Sequence, residues 1–380
     1  LTVPLLKGAG EISAAANEKA AILQRQAAEM GYQHFIANTL LNSISAYWDY
    51  KAALEKLSVE RAAEARVEQG YRKVNNFLAG SGQEAQLRSR FAAELARLEA
   101  YVYDKKSRTI KATQDVENAK IALANTIGIP AAEAASIGPP KDEFPKGGWD
   151  RRLAAMEELN YAQHLLQLAL QNRADLKAAK LNQEAEMVRQ EKARKDLYPT
   201  LNLNLSAGYE GLEVGNDTAA YFDSFNTRVH GADTAATLLF NYPIGNNVAK
   251  GQLQLANANY QRASIQVNEL TRGVGLQLNG ALGKTVQYIK EATQQQSAVT
   301  SYEQTLDSLT KNMNLSENPL AVFQWTDNED KLNQAYNGLI DSLTELAKQI
   351  AQLRFQTGTL VFAEGEAGSV SLHTITELPQ

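Results

Sequence analysis

No cysteine occurs in the 380 residues, which excludes disulfides, thiolate metal sites and thiol catalysis. Proline is scarce: nine residues, gathered at a few points, leave long stretches without a helix breaker. No apolar run reaches the roughly 18 residues that a transmembrane helix needs. A β-barrel escapes that test, because its strands are short and only half apolar. Positive charge is not in excess either, since a net charge of −5 and a pI near 5.6 give no basic footprint for nucleic acid. Signs of enzyme chemistry are equally thin. His34, His164, His230 and His373 are scattered with no metal-ligand spacing. There is no Gly-x-Ser-x-Gly elbow, and Gly280-Ala-Leu-Gly-Lys-Thr285 lacks both the glycine spacing and the preceding strand of a phosphate loop. The many carboxylates lie along helical stretches opposite Lys and Arg, as helix-surface pairs do. No enzyme, no cofactor and no metal are expected.

What fills the chain is helix. A pattern without proline runs from Glu11 to about Leu78, with Leu40, Ile44, Tyr47, Tyr50, Leu54 and Leu57 at three- and four-residue steps. At 1.5 Å per residue this is roughly 100 Å, far longer than a globular helix. Gly80-Ser-Gly82 turns it, and a second helix returns to Gly128 ahead of Pro130, giving an antiparallel hairpin. A Gly/Pro-richer connector spans 129–150. A third helix, about Asp150 to Asp196, leads to Tyr198-Pro199. A fourth runs from about Asn247 to Met313, turns through Asn314 to Pro319, and returns as a last helix to Gly358. That helix carries the cleanest heptad: Leu332, Tyr336, Leu339, Leu343, Leu346, Ile350 and Leu353. Tyr47 and Trp48 fit packing between helices better than a ligand platform.

Between the helical halves stand two alternating runs. Thr200–Tyr209 puts Leu201, Leu203, Leu205, Ala207 and Tyr209 on one face and small polar residues on the other. Ala236–Ile244 does the same with Ala236, Leu238, Phe240, Tyr242 and Ile244. About ten residues with one apolar face is the pattern of a transmembrane β-strand. A soluble hairpin shows the same alternation but would have no core of its own here. The polar segment Glu210–Asp233 between the runs is expected outside the membrane.

The chain repeats itself. Val3-Pro-Leu-Leu-Lys-Gly8, a long helix, a tip and Leu123-Ala-Asn-Thr-Ile-Gly128 are followed later by Tyr242-Pro-Ile-Gly245, a long helix, a tip and Leu353-Arg-Phe-Gln-Thr-Gly358. One internal duplication of a strand plus helical hairpin accounts for this. The expected division is a first repeat at 1–128, a connector at 129–150, a second repeat at 151–360 containing a β-hairpin at 199–245, and a tail at 361–380. The chain opens on Leu1-Thr-Val-Pro4, which reads as the end of a strand in a truncated or processed product.

Four segments together resemble the TolC family of outer-membrane efflux and secretion channels: Arg173-Ala-Asp-Leu-Lys-Ala-Ala179, Tyr198–Tyr209, Tyr242-Pro-Ile-Gly245 and Gln356-Thr-Gly-Thr-Leu360. The resemblance covers almost the whole chain and rests on order and spacing, since no single motif is specific. It implies a mostly α fold with a small β part: long antiparallel coiled-coil hairpins forming a tunnel wall, and transmembrane strands of a shared trimeric barrel. It also implies a homotrimer in the outer membrane of a Gram-negative bacterium, extending into the periplasm. The expected partners are a periplasmic adaptor (a membrane fusion protein), an inner-membrane pump and outer-membrane lipid.

By the same resemblance the function would be passive export in a tripartite efflux pump or a type I secretion system. The alternative is a soluble structural coiled-coil protein without a channel. The hairpin tips, marked by Gly80, Gly82, Asn314 and Asn318, would meet the adaptor. Leu201, Leu203, Leu205, Leu238 and Phe240 would face lipid. Asp327 falls where the family can carry a pore-lining aspartate, with Glu329 and Asp330 as neighbours sharing the gate. Three such carboxylates about a narrow axis would favour cations, whereas on an outer face they would be solvated surface charge. Gln324 and Leu320 depart from the acidic and basic residues found in some relatives.

Overall fold

The structure is a computed structural model of the chain and describes residues 1–80, 84–145, 149–156, 159–211, 218–223, 230–311, 320–361 and 377–379. The elements run β1 (Thr2–Pro4), α1 (Glu11–Ala14), α2 (Ala16–Gly80), α3 (Glu84–Thr126), a 3-10 turn (Ala131–Ser136), α4 (Trp149–Met156), α5 (Leu159–Asn172), α6 (Ala174–Lys195), β2 (Thr200–Gly211), α7 (Thr218–Asp223), β3 (His230–Asn241), α8 (Asn247–Lys311) and α9 (Leu320–Thr357). They form two compact units, Leu1–Gln33 with Ala174–Arg272, and His34–Arg173 with Gly273–Gln380. No described helix is long and apolar enough to cross a membrane.

The two halves match in detail. The helices α2 and α8 are each 65 residues long, and each follows a glycine with positive φ, Gly10 at 76° before α1–α2 and Gly245 at 80° before α8. The returning helices also end alike. Gly128 (φ 78°) donates its N–H to Asn125 while Ile129 donates to Ala124, and Gly358 (φ 70°) donates to Phe355 while Thr359 donates to Arg354. Both are Schellman caps, in which a left-handed residue lets the chain satisfy the last helical carbonyls.

In the second unit the helices pack by the spacing read from the sequence. One core joins Val67, Val74 and Leu78 of α2, Phe91, Leu98 and Val102 of α3, Val299 and Leu306 of α8, and Val322, Trp325 and Leu332 of α9. The partners run in opposite directions along each pair, so α2–α3 and α8–α9 are both antiparallel hairpins. A second core centres on Trp48, fully buried and stacked on Phe144 at 5.5 Å. Tyr47 beside it donates to the Asp142 carboxylate, and burial plus that bond push its pKa up to about 12. Both aromatics are therefore packing residues. A third core sets Leu346, Ile350 and Leu353 of α9 against Leu165 of α5 and Leu278 and Ile289 of α8. The phosphate-loop look-alike runs as uninterrupted helix inside α8, where the Thr285 hydroxyl donates to the Ala281 carbonyl at 2.8 Å.

Two expectations change. The third helix is not continuous: a break at Arg173 separates α5 from α6. Arginine is a good helix former, so the cause is tertiary. The Arg173 side chain is 5% exposed and donates to Gln277 and Gln356, while Gly358 lies so close that a Cβ there would sit 2.7 Å from the Asn172 carbonyl carbon. The second strand is also displaced, running His230–Asn241 rather than Ala236–Ile244, with Tyr242 and Ile244 beyond its end.

The first unit holds a three-stranded antiparallel sheet in the order β1-β2-β3. Its register pairs Val3 with Leu203, Leu203 with Leu238, Leu201 with Phe240 and Leu205 with Ala236. At the base of the sheet, Asn246 takes a positive φ of 43° and its amide donates to the Leu197 carbonyl at 3.0 Å, tying the end of α6 to the start of α8.

Candidate functional site

Two sets of residues carry the functional argument. The first is the sheet. Cross-strand partners share a face, so the register stacks Leu201, Leu203, Leu205, Leu238 and Phe240 on one side, as the alternation requires. Leu238 is 61% exposed and Phe240 60% exposed, so the β3 part of this apolar side has no cover among the described residues, while Leu201 and Leu203 are partly exposed. The opposite side pairs Asn204 with Thr237 and Ser206 with Ala235, small and polar apart from the Asn202–Leu239 row. Tyr198 and Tyr242 are exposed where the strands join the helices. A patch of this kind marks a membrane or protein interface.

The second set lies where the start of α9 crosses α2 and α3. Asp327 is exposed and pairs along its own helix with Lys331 at 2.8 Å. Asp330 is partly exposed and faces α3, where Lys105 and Arg108 stand 3.5 Å and 3.6 Å from its carboxylate. Glu329 departs from the sequence expectation. It is fully buried and takes three hydrogen bonds of 2.9–3.2 Å from the Arg66 guanidinium of α2, so it cannot act as a solvent-facing gate carboxylate. Extending the heptad back from Leu332 in steps of three and four reaches Glu329 and then Trp325, so the core seam passes through this glutamate. That signal was present in the sequence.

Electrostatics follow from the burial. Desolvation raises the Glu329 pKa above its usual value, although the hydrogen bonds and charge of Arg66 pull the other way. Lys105 is also fully buried and lies over the Tyr101 ring at 4.9 Å. Burial, then the charges of Asp330 and Glu329, raise the Tyr101 phenol. The polar seam continues along α9, where Asn337 donates to Glu60 of α2 at 3.1 Å and to Asn333 at 3.0 Å. Among the described residues, Glu60 Oε2, Asn333 Nδ2 and the Tyr101 hydroxyl have no hydrogen-bond partner. Each such atom costs about 1–3 kcal/mol in the closed contact and regains a partner once water enters. Of the tip residues, Gly80 ends α2, while Gly82, Asn314 and Asn318 lie outside the described residues.

No family model matches the chain, and no curated protein matches it in sequence. Solved structures do match. The outer membrane protein VceC of Vibrio cholerae is 18% identical, with a TM-score of 0.69 over 90% of this chain and 76% of VceC. The Campylobacter jejuni outer membrane channel CmeC is 14% identical, with a TM-score of 0.68 over 96% of this chain and 71% of CmeC. The Neisseria gonorrhoeae outer membrane channel MtrE, in its open state, is 17% identical, with a TM-score of 0.66 over 91% and 72%. The chain has the TolC-like outer-membrane channel fold.

The TolC-like fold gives the sequence motifs a structural meaning. Arg173-Ala-Asp and Gln356-Thr-Gly, far apart in the chain, meet: the guanidinium of the first holds the amide oxygen of the second, and the glycine of the second admits the backbone of the first. Arg66, Lys105 and Arg108, which hold the acidic start of α9, escaped sequence reading because nothing local marks the partner of a cross-helix ion pair.

Proposed function

We propose that this chain is the outer-membrane channel subunit of a tripartite efflux pump in a Gram-negative bacterium, passing substrates passively from the periplasm or an inner-membrane pump to the exterior. It does no bond chemistry. The observation that carries this reading is the exposed leucine–phenylalanine face of a β-hairpin whose strands continue into helices of 22 and 65 residues. In lipid that face is satisfied, and the opposite polar face lines a water-filled lumen. The complete channel is a homotrimer that engages a periplasmic adaptor and an inner-membrane pump through its hairpin tips. Export of polypeptides in a type I secretion system uses the same architecture.

The gate in this reading is the start of α9. Arg66–Glu329 and Lys105/Arg108–Asp330 latch α9 to α2 and α3, and Asp327 supplies the ring of carboxylates at the constriction. Single-channel recording in planar bilayers tests both roles. Asp327→Asn is expected to weaken cation preference and block by multivalent cations, with gating unchanged. Asp330→Asn is expected to raise the open probability with cation preference unchanged. Unaltered currents in both variants return these residues to solvated surface, and absence of any conductance from the parent protein overturns the channel reading.

A further inference from the structure

The apolar side of the sheet stops at a defined level. Leu5, just past β1, donates its N–H to the Leu201 carbonyl at 2.7 Å, and Leu201 pairs with Phe240, so these three stand level. Two residues further on, Lys7 donates its N–H to the Pro199 carbonyl at 3.2 Å. Tyr242 reaches the same level, because it follows Asn241, the partner of Thr200. Two residues of extended chain span roughly 7 Å. The headgroup layer of one leaflet is about as thick, roughly 5–8 Å beyond the hydrocarbon. With the leucine rows in hydrocarbon, Lys7 and the exposed Tyr198 and Tyr242 lie at headgroup depth. This step rests on the membrane reading proposed above.

The charge at this level opposes that of the chain. Segments 5–9, 191–199 and 242–250 hold five cations, Lys7, Lys192, Arg194, Lys195 and Lys250, against the carboxylates of Glu191 and Asp196, in a chain of net charge −5. Asp196 is taken by Lys192 at 2.8 Å, and the Lys195 ammonium lies over the Tyr198 ring at 5.4 Å. Among the described residues no carboxylate pairs with Lys7, Arg194 or Lys250. Arg194 and Lys250 are exposed and sit within one helical turn of the sheet: the Arg194 carbonyl accepts from Leu197 at 3.4 Å, and the Lys250 N–H donates to Asn246 at 3.1 Å. Long basic side chains lay their methylenes on apolar surface and carry the charge to the headgroups, and tyrosine favours the same depth. Excess positive charge beside exposed tyrosines suits a lipid whose headgroup is net negative. We infer that the rim where the strands meet α6 and α8 binds anionic phospholipid, with Lys7, Arg194 and Lys250 pairing with headgroup phosphates.

Electron paramagnetic resonance of spin-labelled phosphatidylglycerol and phosphatidylcholine tests it, with the full-length protein in phosphatidylcholine vesicles. Lipid touching the protein gives a motionally restricted signal. That signal from phosphatidylcholine reports the protein in the bilayer, and any excess from phosphatidylglycerol reports the rim. One cation is worth about five-fold at its own site, so the excess averaged over all contacting lipid should be about two-fold or more at low salt. It should shrink towards parity at 1 M salt, where the Debye length is about 3 Å. The triple variant Lys7→Gln, Arg194→Gln, Lys250→Gln should bring it to parity with the phosphatidylcholine signal unchanged, whereas Lys7→Arg with Lys250→Arg should keep it. Arg262→Gln, about 18 Å further along α8 than Lys250, should also keep it. A phosphatidylcholine signal without the excess overturns the rim and leaves the membrane reading standing. So does an excess that survives in the triple variant or falls equally in Arg262→Gln. No restricted signal from either lipid overturns the membrane reading and the rim with it.

Discussion

Gly128 and Gly358 make a controlled pair of single residues. Both close a long helix in the same left-handed cap, at φ 78° and 70°, yet a Cβ on Gly128 would meet nothing within 4 Å while one on Gly358 would lie 2.7–3.0 Å from Asn172 and Arg173. Gly128→Ala should cost only the left-handed backbone, about 1–2 kcal/mol. Gly358→Ala should cost clearly more, because it also forces the α5–α6 break away from Gln356. Thermal melts of the two variants check this, and equal losses would remove the Arg173–Gln356 contact from the list of fold determinants. Arg66 offers a second test with a definite sign. Removing it leaves Glu329 buried without its partner, so Arg66→Ala should cost on the order of 2–3 kcal/mol near neutral pH, below the roughly 3–5 kcal/mol of a fully buried pair because Arg66 is itself one-third exposed. Glu329 has its folded pKa raised above its unfolded value. Its favourable contribution is therefore complete below that unfolded value and is lost as pH rises through the folded one. Stability of the parent should fall relative to Glu329→Gln as pH rises from mildly acidic to neutral. The loss in Arg66→Ala should shrink in acid, where Glu329 takes up a proton. Parallel melting curves for parent and Glu329→Gln across that window would contradict the assignment.

Among the elements, the helices were the most legible part of the sequence. Absence of proline and a three-four hydrophobic step located α2, α3, α8 and α9 to within a few residues, because burial of one face is a local pattern repeated many times. The heptad of α9 also held: Leu332, Leu346, Ile350 and Leu353 are all buried. What the pattern could not carry was anything decided across the fold. The α5–α6 break depends on a glycine 185 positions away from Arg173, and the early start of β3 depends on pairing, since His230-Gly-Ala-Asp233 has neither alternation nor strand propensity until β2 aligns it with Gly208–Gly211. Of the acidic residues at the start of α9, Asp327 and Asp330 keep exposed or partly exposed carboxylates, whereas Glu329 falls on the buried heptad seam that runs back from Leu332. The strands supply the prediction at this scale. Spin labels on Cys introduced at Leu203 and Leu238, which are cross-strand partners, should be accessible to a lipid-soluble relaxer. Labels at Asn204 and Thr237 should respond to a water-soluble one. Equal water accessibility at Leu203 and Asn204 would sink the membrane assignment of the hairpin.

At the scale of the molecule, the sheet poses a question that one chain does not answer. Its three described strands leave β1 and β3 at the edges, each with a row of backbone N–H and C=O groups and no further strand among the described residues to receive them. Water can satisfy such edges, but hydrocarbon cannot, so strands that face lipid must close into a barrel. Closing a barrel from this hairpin requires further strands, each presenting an apolar face outward and a small polar face inward. Rotational symmetry fits the proposed homotrimer, because copies related by an axis contribute equivalent strands until the ring closes. The homotrimer proposed above sets the expected copy number at three. Native mass spectrometry of the full-length protein, released from detergent, should therefore give a trimer as the smallest species that retains β structure. Dissociation should expose the strand edges and lose the sheet signal in circular dichroism while most of the helix signal remains. A detergent-stable monomer with its sheet intact would falsify the shared barrel and, with it, the channel built upon it.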